Sequence, residues 1–170
     1  RRAPIATLAA EVAARIQTEV TAEALVAVTH SMGGILVRHL RDTFPWRGLV
    51  MLAPPNQGSR VAVAMRERAV FRLLCGPAGL ELCTASAWPA PPLPFAVIAG
   101  TRPGRLNPSA WFKSARIFTP GEPNDGTLAV EETRYPGATA FATVPASHTW
   151  IMNHPEARRL VVNFLTTGRF

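Results

Sequence analysis

The nearly all-apolar run Ala24-Leu25-Val26-Ala27-Val28-Thr29 leads straight into His30-Ser31-Met32-Gly33-Gly34, and Ile35 to Leu40 then reads as helix until Pro45. This passage constrains the fold more than any other. A short continuous apolar run with β-branched residues is the pattern of a strand covered on both faces. A tight turn of small residues from strand to helix starts a parallel βαβ unit, because parallel strands need a crossover to bring the chain back.

The rest of the chain repeats that alternation. Ile5, Leu8, Ala9, Val12 and Ile16 recur at helical spacing and predict a helix ending near Glu19, with Pro4 suited to its first turn. Residues 48–52, 95–100 and 138–144 read as further strands, and Ser147-His148 ends the last of them. Residues 61–74 read as one helix. Residues 75–94 are rich in Gly and Pro, and Pro89, Pro91, Pro92 and Pro94 are too dense for a sheet interior. Residues 101–127 read mostly as loop. Asn153 and Glu156 have capping-box spacing and open a last helix, with Pro155 in its first turn and Leu160, Val161, Phe164 and Leu165 on its face. The expectation is a single α/β domain over residues 1–170, a mostly parallel sheet flanked by helices, without internal repeats.

The length of 170 residues suits one domain, and 48% apolar against 17% charged residues is a globular balance. No apolar run approaches the roughly 18 residues that cross a bilayer, and no signal peptide is visible, so the sequence reads as soluble. The compartment is left open. The formal charge is +7, and every basic residue except Lys113 is Arg. The densest basic groups are Arg1-Arg2, Arg66 to Arg72 and Arg158-Arg159, with no aromatic residues interleaved as base-stacking platforms. This argues for a solvated surface and against nucleic acid, while contact with an anionic lipid interface stays open. Cys75 and Cys83 flank Gly76-Pro77-Ala78-Gly79, so a local disulfide and two separate thiols both remain open. No His lies between Ser59 and Asn107 to join them in a zinc site. No metal or organic cofactor is expected.

The turn carries the chemistry. A serine hydroxyl is a weak nucleophile until a turn lifts it to substrate and a base takes its proton. A sharp bend between strand and helix does the lifting at Ser31, and Gly33 supplies room for the close approach it needs. The bend also aims the Met32 backbone N–H, at a helix start, toward a developing oxyanion. The pattern departs from Gly-x-Ser-x-Gly at Thr29, where the first Gly is usual. The bland alternative is that Ser31 only caps the helix.

Four histidines are candidates for the base. His30 lies inside the turn and is expected to point away from its neighbour's hydroxyl. His39 sits well into the helix, and His154 stands beside Pro155 at a helix start. His148 follows the last strand, where loops of an open parallel sheet converge on a site. The acid has two Asp candidates, Asp42 at the end of a helix and Asp125 in Pro123-Asn124-Asp125-Gly126. Asn-Asp-Gly is also an ordinary turn signature. The chain order Ser, acid, His selects Ser31, Asp125 and His148, with Glu122, Glu131 and Glu132 as reserve acids.

Four stretches resemble the bacterial α/β-hydrolase superfamily of lipases and esterases. They are residues 28–38 around His30-Ser31-Met32-Gly33-Gly34, Met51-Leu52-Ala53-Pro54-Pro55-Asn56-Gln57-Gly58-Ser59, Asn124-Asp125-Gly126-Thr127, and residues 148–156 from His148 to Pro155-Glu156. They fall in this order over nearly the whole chain. The resemblance implies a carboxylic-ester hydrolase working through an acyl-enzyme, with Ser31 as nucleophile, His148 as base, Asp125 as its orienting acid and the Met32 N–H in the oxyanion hole. It implies that residues 60–94 form a cap over the site. Asn56-Gln57-Gly58-Ser59 is expected to be a structural turn with Ser59 capping the next helix, and the apolar residues of the cap, which include Val61, Phe71, Leu73, Leu74 and Leu82, could line an acyl-chain pocket, with the core as the default for most of them.

The resemblance also implies earlier strands, one ending in a His-Gly loop that gives the second oxyanion N–H. No such segment precedes the first helix here. This leaves the sheet edge beside Ala24 to Thr29 exposed, which invites pairing, and leads to the expectation that the chain alone is weakly active, or that a partner chain or a further segment completes the sheet. The substrate class is an ester or acyl small molecule or lipid. Acyl transfer and thioester hydrolysis use the same three residues, and a non-catalytic interaction protein on a hydrolase fold is the alternative of a different kind.

Overall fold

The computed structural model describes residues 3–84, 88–104 and 117–170. The Arg1-Arg2 pair, Lys113 and much of the loop expected over 101–127 lie outside the described residues. Helix α1 spans Ile5–Glu19, strand β1 Leu25–His30, helix α2 Met32–His39 and strand β2 Trp46–Leu52. Helices α3 (Arg60–Met65) and α4 (Ala69–Glu81) precede strand β3, Phe95–Gly100. A short helix α5 (Val130–Thr133), strand β4 (Ala140–Val144), a 3-10 helix over His148–Asn153 and helix α6 (Pro155–Thr167) complete the order.

The four strands form one parallel sheet in the order β1-β2-β3-β4. Side chains of a strand alternate between faces, and both faces of β2 are covered. Val50 and Leu52 pack with Ile98, Leu160 and Phe164 beside α6. Leu49 and Met51 pack with Val37 of α2 and with Phe95 and Val97. Such two-sided burial is why β2 and β3 read as unbroken apolar runs. A third cluster joins Ile5 of α1, Ile35 of α2 and Ala78 of α4. Among the described residues, no helix is long and apolar enough to cross a membrane.

Several expectations need correction. The strand at 24–29 is not covered on both faces. Among the described residues β1 pairs with β2 alone, which makes it the open edge expected beside Ala24 to Thr29, but its faces are not both covered: Val26 and Val28 are about half exposed. The single helix at 61–74 is two helices, parted at residues 66–68. The second is itself interrupted at Gly76, whose φ of 59° and ψ of −160° are non-helical, so α4 is two helical stretches meeting at a kink, with Pro77 just after it. Leu73 is 81% and Leu74 63% exposed, so they are not core. Pro4 is the N-cap of α1 rather than part of its first turn. α6 is capped by His154 with no side-chain hydrogen bond, not by an Asn153 capping box. His148 opens a 3-10 helix that the pattern of residues 147–153 did not announce.

Candidate active site

Ser31 sits between β1 and α2 with φ 54° and ψ −129°, a conformation that side-chain-bearing residues seldom adopt. Its N–H donates to the Leu52 carbonyl at 2.9 Å, so the bend is fastened to the neighbouring strand. It is the N-cap residue of α2, but its side chain makes no capping hydrogen bond. The crowded glycine is not the expected one. A Cβ on Gly33 would lie 3.5 Å from the Thr29 Cβ, an ordinary contact. A Cβ on Gly34 would meet Met51 Sδ at 3.0 Å and Pro54 Cβ at 3.2 Å. Thr29 therefore fits where a glycine is more usual, although its buried hydroxyl has no hydrogen-bond partner among the described residues.

The elements bring Ser31, His148 and Asp125 together. His148 Nε2 lies 2.9 Å from Ser31 Oγ, and His148 Nδ1 lies 2.7 Å from Asp125 Oδ2. The partners assign the protons: Nδ1 faces a carboxylate and must donate, so Nε2 is free to accept from the serine hydroxyl. Asp125 is 1% exposed. Its other oxygen, Oδ1, accepts the N–H groups of Thr127 at 2.8 Å and Leu128 at 2.7 Å. The Asn-Asp-Gly turn and the acid are thus one device, because the turn's own N–H groups hold the carboxylate in place. Such a line can move a proton from a hydroxyl to an imidazole and stabilise the imidazolium that forms.

The other candidates stand apart or do something else. His30 does not simply point away: its Nε2 donates to the His148 carbonyl at 2.8 Å. His39 Nε2 and His154 Nδ1 are buried atoms without partners among the described residues. Asp42 is exposed and pairs with Arg41. Glu122 pairs with Arg60, which holds its carboxyl down at about 2, chiefly through the guanidinium hydrogen bond. Glu131 pairs with Arg134 at the surface. Glu132 accepts from the N–H groups of Ala129 and Arg60. None of these acids bonds to His148. Ser59 accepts the Ala62 N–H at 3.2 Å, as a helix cap does.

A pocket of about 460 Å³ opens over this line. Ser31, Met32 and His148 form its floor, and Val61, Phe71 and Leu82 stand among its apolar walls. Met32 is the first residue of α2, where a helix leaves N–H groups without internal acceptors. No disulfide joins Cys75 and Cys83. Among the described residues, no group of three or more His, Cys, Asp or Glu is placed to hold a metal ion.

Two supporting residues escaped the sequence analysis. Gly100 ends β3 beneath Asp125, and a Cβ there would lie 2.5 Å from the Ala146 carbonyl oxygen and 2.8 Å from Asp125 Cβ. Arg38, 1% exposed, donates to Asn56 and to the carbonyls of Trp88 and Pro89, with its guanidinium 4.6 Å from the Tyr135 ring. Burial pushes its pKa down. A lone Gly at a strand end and an Arg on an apolar helix gave only weak signals.

No protein-family model matches the sequence, and comparison with curated proteins gives no match. Solved structures do match. The mature form of a Bacillus licheniformis lipase is similar over 98% of this chain and 73% of its own, with a TM-score of 0.66 and 19% identity. In its propeptide form this chain spans only 40% of that lipase. A phospholipase from Legionella pneumophila matches over 96% of this chain and 49% of its own, with a TM-score of 0.65 and 18% identity. A thermophilic esterase from Thermogutta terrifontis matches over 100% of this chain and 75% of its own, with a TM-score of 0.56 and 14% identity. The molecule has the α/β-hydrolase fold, built on a parallel sheet flanked by helices.

Proposed function

We propose that this protein is a serine hydrolase that cleaves carboxylic esters through an acyl-enzyme. The observation that carries the reading is the continuous hydrogen-bonded line from Ser31 Oγ through His148 to the buried Asp125 carboxylate, set on a strained elbow. Ser31 Oγ attacks the acyl carbonyl while His148 Nε2 takes its proton. The Met32 N–H faces the oxyanion. His148 returns the proton to the leaving alcohol, and the C–O bond to that alcohol breaks. Water then repeats the sequence on the acyl-enzyme, releasing the acid and restoring the serine hydroxyl. Solved lipase and esterase structures of the same fold support this reading.

Residues 60–94 serve as the cap of this single domain, with the inner side of α4 toward the pocket and Phe71 in its wall. The outer side carries Val70, Leu73 and Leu74, all exposed. Arg66, Arg68 and Arg72 lie near them in sequence, with Glu67 paired to Arg66 and Arg72, so this stretch is net basic. Exposed apolar side chains in a net basic stretch suit an anionic lipid surface, and we assign the cap that contact. The outer edge of β1, unpaired among the described residues, is where a further strand from a partner chain or another segment would complete the sheet.

Labelling with a fluorophosphonate, mapped by intact mass and peptide analysis, tests the reading. A single adduct on Ser31 that disappears in His148→Ala supports it. A folded protein that takes no adduct overturns it.

A further inference from the structure

The sheet order creates a mechanical problem. Ser31 follows β1 at one edge, and His148 follows β4 at the other, with two strands between them. Among the described residues, two side-chain hydrogen bonds span the gap directly. One is His148 Nε2 to Ser31 Oγ at 2.9 Å. The other is His30 Nε2 to the His148 carbonyl at 2.8 Å. If the site acts as proposed, the first is lost whenever Ser31 Oγ carries an acyl group, since the oxygen then has no proton to donate. The second is untouched by acylation.

We propose that His30 is the positioning residue of this site: it ties the His148 loop to the nucleophile's own strand and keeps the base over the acyl-enzyme for the attack of water. This inference rests on the proposed ester-hydrolase reading. His30 is well placed for the task. It is the last residue of β1, in register with Leu52, and the next N–H donates to the Leu52 carbonyl, so its backbone belongs to the sheet. Its ring centroid lies 4.8 Å from that of His148 at a tilt of 48°, so it also flanks the base.

The chemistry of the contact fixes the tautomer. A carbonyl oxygen only accepts, so His30 must carry a proton on Nε2. Burial first, and the nearness of His148 second, push the His30 pKa down, so the neutral ring donates at neutral pH. A neutral neighbour leaves His148 free to become the imidazolium. The Asp125–His148 pair orients the ring from its Nδ1 side, and His30 secures the backbone from which that ring hangs. A histidine beside the nucleophile therefore acts through another residue, without touching the reacting atoms.

His30→Leu removes the donor at similar bulk, and His30→Gln keeps an N–H donor at about the same reach. Acylation and deacylation of both variants are followed by quenched-flow intact mass with p-nitrophenyl butyrate, alongside thermal unfolding. The expected result is acyl-enzyme accumulation in His30→Leu, with deacylation slowed by between about tenfold and a hundredfold and acylation slowed less. His30→Gln recovers most of the deacylation rate. Equal deacylation in wild type and His30→Leu overturns the inference and leaves the hydrolase reading standing. No acyl-Ser31 in the wild type sinks both. Independently of turnover, ring nitrogen shifts in NMR must place the His30 proton on Nε2, and a proton on Nδ1 alone overturns the tie.

Discussion

Asp125 and His148 are joined twice, by Asp125 Oδ2 at 2.7 Å from His148 Nδ1 and by the His148 N–H donating to the Asp125 carbonyl at 3.1 Å. One bond sets the ring and the other sets the backbone beneath it. In Asp125→Asn the side-chain oxygen can still accept from Thr127 and Leu128, which turns the amide nitrogen toward His148. Nδ1 must then accept, the ring proton moves to Nε2, and Nε2 can no longer take the serine proton. Ester turnover and fluorophosphonate labelling should fall by about 10⁴-fold while the melting profile stays folded. Labelling at the wild-type rate would remove Asp125 from the mechanism.

Gly100 is the test of how the acid is supported. The space a methyl would fill is already held by the Ala146 carbonyl oxygen and Asp125 Cβ. Neither is the end of a flexible side chain, so the Asp125 and Ala146 loops must part. Gly100→Ala should cost about 1–3 kcal/mol in urea unfolding, as overpacking does. It should also lower labelling of Ser31 in the population that remains folded. An unchanged urea midpoint would show that the two loops yield freely.

The parallel sheet was legible in the sequence because β2 and β3 are covered on both faces, and double coverage writes an unbroken apolar run. β1 carries a similar run at an edge, and no local pattern distinguishes an edge strand from a central one. Ser31 was legible because small residues must crowd a strained turn. Asp125 and His148 were placed by chain order, the turn signature and the resemblance, since their meeting is a matter of tertiary structure. The kink at Gly76 was hidden because Gly-Pro normally marks a loop, and here Pro77 stands just after the break where a missing N–H is tolerated. Gly100 gave no signal because its constraint is the approach of two loops far along the chain.

The pocket wall predicts acyl preference. Phe71 reaches from α4 into the pocket beside Val61 and Leu82. Phe71→Ala would lengthen the apolar space without touching Ser31, His148 or Asp125. Across p-nitrophenyl esters of increasing chain length, kcat/KM should shift toward longer acyl groups, at about 0.8 kcal/mol for each further buried methylene. A profile identical to the wild type would place the acyl chain elsewhere.

Acid should destabilise the fold in two windows. Burial pushes His30 and His39 below 6.5. The unfolded chain therefore binds more protons than the folded one as pH falls below 6.5, and stability declines until the lowered values are passed. Glu122 is displaced from 4.5 to about 2 by Arg60, so its contribution is present above 4.5 and is lost as pH falls through about 2. Urea midpoints should drop first in the histidine window and again in the carboxylate window. His39→Gln should flatten the first drop, and a midpoint that rises on mild acidification would contradict the sign.

The exposed side of α4 gives a prediction separable from the chemistry. Leu73 at 81% and Leu74 at 63% exposure leave apolar area in water that burial in a membrane interface would recover. The arginines at 66, 68 and 72 add attraction only to anionic lipid and only within about a Debye length. The protein should therefore sediment with phosphatidylglycerol vesicles more than with phosphatidylcholine vesicles, and high salt should narrow the difference. Replacing both leucines by serine should release it from either vesicle while Ser31 still takes the fluorophosphonate, because neither leucine lines the pocket. Undiminished sedimentation of that variant would move the lipid contact off the cap. If the wild type instead elutes as a dimer that the leucine substitutions dissolve, the exposed strip is an interface between copies of the chain.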